Sequence, residues 1–143
     1  LASGTALARE ARHLIQEGVR TSILDYADGD VEKVTAQVIH TAAQQGDNLA
    51  KELIARTGYY IGVGLASLVN IFNPELIVIG GGLSNIGDML LGPAFKVAGE
   101  RAYKEAYRAV RFALAELGRD SGVLGAAAFA LQEITKPKVR GED

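Results

Sequence analysis

The chain has no cysteine. That absence removes disulfides, thiolate catalysis and cysteine-ligated zinc from anything these residues do, and it suits a reducing cytoplasm. Neither sign of charge is in excess: 15 basic and 17 acidic residues leave a net charge of −2. No global field favours nucleic acid or a membrane surface, and neither partner is expected. Nothing reads as a signal peptide. The longest apolar stretch, YYIGVGLASLVNIF at 59–72, is too short to span a bilayer and contains Ser67 and Asn70. Internal repeats and low-complexity tracts are missing as well. What remains is an ordinary globular composition, 48% hydrophobic and 22% charged over 143 residues, enough for one domain with a proper core. The chain starts at Leu1 rather than methionine, as a cut piece or a processed chain would.

Helical spacing dominates the first half. Ser3 is placed to cap a helix over about 4–17, with Leu7, Ala11, Leu14 and Ile15 on its buried face and Gly18 as its stop. A connector over 19–29 leads to Asp30, the expected cap of a second helix carrying Val31, Val34, Val38, Ile39 and Ala42 on one stripe. Gly46 ends that helix and Asp47 caps a long third one, about 48–72. Few charges remain in its second half, which is expected to be buried on most sides. Gly58, Gly62 and Gly64 each cost about 1 kcal/mol of helix propensity, which close packing against a neighbour would offset.

Strands enter later. Asn73-Pro74 stops the long helix. ELIVIG, a continuous apolar run at 75–80, suits a strand buried on both faces of a parallel sheet. Residues 87–109 return to helix, with Leu91, Phe95, Ala98, Ala102 and Ala106 inside and Lys96, Lys104 and Arg108 on a solvated outer face. RFALAELG at 111–118 is the second strand, and Ser121 caps a last helix. Residues 1–135 thus read as one unit and 136–143, KPKVRGED, as a frayed tail. Two strands make a very small sheet, so further strands are expected from a longer protein or from a partner chain covering it.

Gly80, Gly81 and Gly82 follow the first strand, at the ligand edge of an open α/β sheet. Without a Cβ, a ring or phosphate can approach such backbone closely, and the N–H groups of the next helix face the same edge. A Walker loop is excluded, because GGGLSNIGDM has no lysine followed by serine or threonine. A dinucleotide fingerprint fits poorly: Asn85 stands where its third glycine belongs, and Glu116, which could serve as its acid, lies farther along than the usual spacing of about twenty residues. The glycines by themselves leave a bare turn and a ligand loop equally open. No residue reads as catalytic. Asp25, Asp28, Asp30 and Asp88 are loop or cap acids, His13 and His40 sit on separate helices without a paired ligand, and Tyr59 and Tyr60 read as packing residues. No metal site is expected within the chain.

Four stretches in order resemble the C-terminal portion of the ROK family of sugar kinases and sugar-responsive repressors. They are SGTALARE, AAQQGDNLAKEL, GYYIGVGLASLVNIFNPELIVIGGGLS and LGRDSGVLGAAAFAL. The resemblance implies an α/β fold, the C-terminal part of an actin-like ATPase (ribonuclease H-like) lobe, helix-rich with a small parallel sheet. Gly80, Gly81 and Gly82 match the family's adenosine motif, with Leu83 and Ser84 beside them in the same pocket; Gly122 and Gly125 would serve packing. The family's phosphate motif, its Asn-Asp catalytic pair, its sugar motif and its zinc motif are all absent, and would lie upstream. The implied function is an ATP-dependent, glucokinase-like phosphoryl transfer to a hexose, with Mg2+ bridging the phosphates, in a homo-oligomer. The chain alone is expected to be inactive. The alternatives are the same region of a sugar-responsive repressor and, more remotely, an NAD-binding module.

Overall fold

A computed structural model describes residues 3–116 and 121–135. The first helix, α1, spans Gly4–Gln16, and the Ser3 hydroxyl accepts from the Ala6 amide at 3.1 Å, as a cap should. Leu7 and Ala11 are buried, and Leu14 and Ile15 pack partly against the same core. Gly18 follows with φ of +85°.

The second helix differs from expectation. Asp30 does cap, through the Glu32 amide, but only a single 3-10 turn over Val31–Lys33. The helix proper, α2, spans Ala36–Gln44 and is capped by Thr35. The reason is a competing donor. Arg12 of α1 takes the Val34 carbonyl with Nε (3.2 Å) and a terminal nitrogen (3.0 Å), and the Glu32 carbonyl at 2.7 Å. Those carbonyls are withdrawn from helical pairing, and Val34 sits extended and buried.

Asp47 then starts α3, Asn48–Phe72, by accepting from the Ala50 amide at 2.8 Å. Its other carboxylate oxygen accepts from the Ser22 amide (2.7 Å), the Thr21 hydroxyl (2.8 Å) and the Ser22 hydroxyl (2.9 Å). One side chain thereby caps a helix and fixes the connector behind α1. Burial works to raise its pKa, but these hydrogen bonds outweigh burial and hold the carboxyl below its ordinary range.

Helix α4, Asp88–Arg101, lies along α3. A Cβ at Gly58 would meet the Leu90 carbonyl oxygen, and one at Gly62 the Ala94 carbonyl oxygen, both inside van der Waals contact. The two backbones therefore touch where glycine permits it. No described residue lies within 4 Å of where a Gly64 Cβ would stand, so among the described residues packing explains Gly58 and Gly62 and not Gly64.

The expected single helix over 87–109 is two. After α4, Ala102 turns extended (ψ 158°) before α5, Lys104–Ala109. The side chain of Asn70 on α3 holds the break: its oxygen accepts from the Tyr103 amide at 2.8 Å and its nitrogen donates to the Arg101 carbonyl at 3.4 Å. Lys96, Lys104 and Arg108 are exposed, as the sequence suggests.

Asn73, left-handed at φ 42°, ends α3, and β1 follows at Leu76–Ile79. It pairs in parallel with β2, Arg111–Leu114, in the register Leu76↔Arg111 to Ile79↔Leu114. One face of the pair packs on α3 and α4 through Ile77, Ile79 and Phe112; the Phe112 ring lies 4.9 Å from that of Phe95. Burial on both faces is not found, since Leu76 is 45% and Val78 57% exposed. The second half of α3 is likewise buried on one face only: Leu65, Ala66 and Val69 are inside, while Leu68, Ile71 and Phe72 are exposed. The apolar pattern describes surfaces made to be covered, and no described residue covers these. The last helix, α6, spans Ser121–Thr135; its start at Ser121 leaves the capping position among residues outside the described set, as are 117–118 of the expected second strand and the tail. Gly122 and Gly125 have no atom within 4 Å of a built Cβ, so the packing role expected for them is not seen among the described residues. No helix there is long and apolar enough to cross a membrane.

Candidate functional site

The site grows from the end of β1. Ile79 is the last paired residue, and the chain must leave the sheet at once. Gly81 does this with φ of +96° and ψ of 172°, a conformation open in practice only to glycine. Gly80 is also constrained, because a Cβ there would come within 3.0 Å of Ala115 Cβ. Gly82 is bound by neither limit: its φ is not left-handed, and among the described residues no atom lies within 4 Å of where a Cβ would stand. Its bareness leaves space over the loop.

A 3-10 turn, Gly82–Ile86, separates the glycines from α4, so the next α-helix starts later than a direct strand-to-helix turn would bring it. The Ser84 amide (3.1 Å) and hydroxyl (2.7 Å) both donate to the Gly81 carbonyl and close the turn. Ser84 thus shapes the loop and keeps only its oxygen lone pairs for anything bound.

Gly80, Gly81, Gly82, Leu83 and Ser84 all line one cavity of about 690 Å³. Sequence reasoning picked this wall and missed the opposite one. Ser3 and Gly4 at the start of α1, and Thr35, Ala36 and Gln37 at the start of α2, line it too. The available signal was the pair of cap residues, Ser3 and Thr35, because a cap marks where unpaired helix N–H groups gather. Ile61, Ile79, Leu90 and Leu91 complete an apolar floor. Among the described residues no charged side chain lines the cavity, and what they offer an anion is backbone N–H groups and helix ends.

A second, more polar cavity of about 340 Å³ adjoins the first and shares Ala36, Gln37 and Gly82 with it. His40, Thr41, Gln44, Asn85 and Ile86 line the rest. His40, read from the sequence as an ordinary helix residue, therefore faces a pocket. His13 does not; it is exposed on α1, with Glu17 at 3.4 Å. The acids are where caps and loops put them: Asp30 on the Glu32 amide, Asp28 paired with Lys33 at 3.0 Å, and Asp25 and Asp88 at the starts of a turn and of α4. None lines either cavity, and neither does Glu116. Tyr59 and Tyr60 are about 40% exposed and stack edge-to-face at 5.5 Å, with the Arg101 guanidinium donating to the Tyr59 hydroxyl at 2.6 Å. Among the described residues no group of three or more His, Cys, Asp or Glu side chains converges to hold a metal. The magnesium that the resemblance implies finds no ligand set among the described residues.

The ROK family model matches residues 1–133. The chain is 37% identical over 126 residues to a glucokinase of Halalkalibacterium halodurans, covering 87% of this chain and 38% of that one. It is 28% identical over 133 residues to a xylose repressor of Caldicellulosiruptor bescii, covering 93% of this chain and 33% of the repressor. Among solved structures, it superposes with a TM-score of 0.76 and 32% identity on a ROK family glucokinase from Streptomyces griseus in complex with glucose and AMPPNP. That match covers 92% of this chain and 43% of the other. The chain thus spans well under half the length of these relatives. Its helix-rich build around a small parallel sheet is that of part of an actin-like ATPase fold. The helices, the Asn-Pro stop, the short strand and its glycine turn, in this order and this arrangement, make the chain a member of the ROK family.

Proposed function

We propose that this chain forms the nucleotide-side wall of an ATP-dependent, glucokinase-like sugar kinase. The observation that carries the reading is the Gly80–Gly82 turn, which lines a cavity of about 690 Å³ together with the starts of α1 and α2. The adenosine of ATP lies against the bare backbone at Gly82, and its anionic end faces the N–H groups of the helix starts. The reaction of the whole protein is transfer of the terminal phosphoryl group to a hexose hydroxyl. Positioning and electrostatic stabilisation do most of the work in such a step. The relative from Streptomyces griseus, with glucose and AMPPNP bound, supports both substrates. Within the described residues no acid is placed to take the hydroxyl proton, in keeping with the upstream catalytic pair that the resemblance implies.

A sugar-responsive repressor is the second reading, favoured by the 93% of this chain that aligns with a xylose repressor. ATP separates the two. Calorimetric titration of the chain with ATP is expected to show saturable binding, and Gly82→Leu to abolish it without lowering thermal stability, since the new side chain enters open space. Absence of ATP binding by the unmodified chain at millimolar nucleotide removes the kinase reading and leaves the repressor.

A further inference from the structure

Arg12 lines neither cavity, yet its bonds end beside a wall of the larger one. It sits on α1, about two turns beyond the Gly4 end that reaches that cavity. Its guanidinium holds two backbone carbonyls, that of Glu32 at 2.7 Å and that of Val34 at 3.0 and 3.2 Å. In a helix running on from Asp30 those carbonyls have fixed partners four residues later: Glu32 would accept from the Ala36 amide, and Val34 from the Val38 amide. Nothing local forbids that helix. Asp30 is a working cap, and Val31, Val34, Val38 and Ile39 keep helical spacing. The stop comes from α1. With both carbonyls taken, the Val38 amide donates to the Thr35 hydroxyl at 3.3 Å instead, and the Ala36 and Gln37 amides have no partner among the described residues. Thr35, Ala36 and Gln37 are the α2 residues that line the larger cavity. The contact of Arg12 with the Glu32 carboxylate, at 3.3 Å and largely exposed on the glutamate side, adds little to this.

Resting on the nucleotide reading above, we infer that Arg12 is a positioning residue for nucleotide binding. By occupying the Glu32 and Val34 carbonyls it keeps α2 from extending backward, and so leaves the Ala36 and Gln37 amides unpaired beside the cavity. Arg12 itself touches no ligand. Arginine suits the task because its planar fork serves two acceptors at once, whereas a lysine ammonium is a single point of charge.

The test compares Arg12→Met and Arg12→Lys with the unmodified chain by ATP titration and by amide NMR of residues 31–38. Methionine is a good helix former of similar length with no donor. Lysine keeps the charge, which controls for the field that any cation exerts on an anionic ligand. In Arg12→Met, residues 31–35 are expected to take helical chemical shifts, and the Ala36 and Gln37 amides to become protected from exchange. ATP affinity is expected to fall at least about tenfold, the size of one or two good hydrogen bonds. Arg12→Lys is expected to lie between in all three respects, and it carries the test should Arg12→Met not fold. Full ATP affinity in a variant whose 31–35 segment has become helical overturns the positioning role and leaves the nucleotide reading in place. So does weakened binding with that segment unchanged, which assigns Arg12 an effect of charge alone. Variants unchanged in both readouts overturn it as well. An unmodified chain that binds no ATP overturns the nucleotide reading itself and this inference with it, whatever the shifts show.

Discussion

Gly58, Gly62 and Gly64 allow one substitution to be made three times on one helix with opposite outcomes. Glycine to alanine inside a helix gains about 1 kcal/mol from propensity. At Gly64 nothing opposes that gain, since a Cβ meets open space, and the variant should be about 1 kcal/mol more stable. At Gly62 the new methyl falls on the Ala94 carbonyl oxygen and 2.7 Å from Val97 Cβ. Neither is the free end of a flexible chain, so α4 must shift. Overpacking of this sort costs about 1–3 kcal/mol, and the net loss should be about 1–2 kcal/mol after the propensity gain. Gly58→Ala meets the Leu90 carbonyl oxygen and Pro93 Cβ at 3.2 Å, and should fall on the same side. Urea unfolding followed by circular dichroism measures all three. A common sign for Gly62→Ala and Gly64→Ala would refute the claim that α3 and α4 touch backbone to backbone. The consequence reaches the site, because Leu90 and Leu91 of α4 and Ile61 of α3 floor the larger cavity. Gly62→Ala should therefore weaken ATP binding, and Gly64→Ala should leave it unchanged.

Three further outcomes are expected. Asp47→Asn should lose about 1–2 kcal/mol at pH 7, through the cap and the connector bonds. The native carboxyl has a lowered pKa when folded, so its contribution is whole above the ordinary aspartate range and fades as pH falls through the folded value. The gap between the two proteins should begin to narrow only as pH falls below about 4, and a gap unchanged from pH 7 to the acid end of the urea titrations would contradict the assignment. Asn70→Ala unpairs the Tyr103 amide and should cost about 1 kcal/mol; a neutral result would mean that the α4–α5 break is held by something else. Finally, the chain by itself should form no ADP in a glucose-dependent coupled assay, and any such turnover would place a base among these residues.

Local signals were read well from the residues because their physics is local. Ser3, Asp47 and Asn73 mark helix ends through bonds to their own neighbours, and all three ends fall where expected. The errors come from partners distant in sequence. Arg12 takes the Val34 carbonyl across 22 positions and delays α2; Asn70 reaches across 33 positions to Tyr103 and cuts a helix in two. No window of sequence contains both members of either pair. The same limit governs the site. The glycine wall was legible as a run of three, whereas Thr35, Gln37 and His40 join it only through the packing of α2 beside the Gly82–Ile86 turn. Expected burial failed for another reason: the hydropathy of Leu76, Val78, Ile71 and Phe72 records what a surface can bury, not whether a neighbour is there.

The parallel pairing of β1 with β2 also sets an order of events. Leu76 cannot meet Arg111 until the whole of α4 and α5 between them has been formed and laid back against α3. A parallel pair has no hairpin to nucleate it, and closing so long a loop costs entropy before any ladder bond repays it. Helix docking through the glycine contact should thus come first, with the strands zipping last. Until that final step Leu76, Val78 and Leu114 belong to unpaired apolar segments, and it is then, rather than in the finished fold, that self-association competes most strongly with folding.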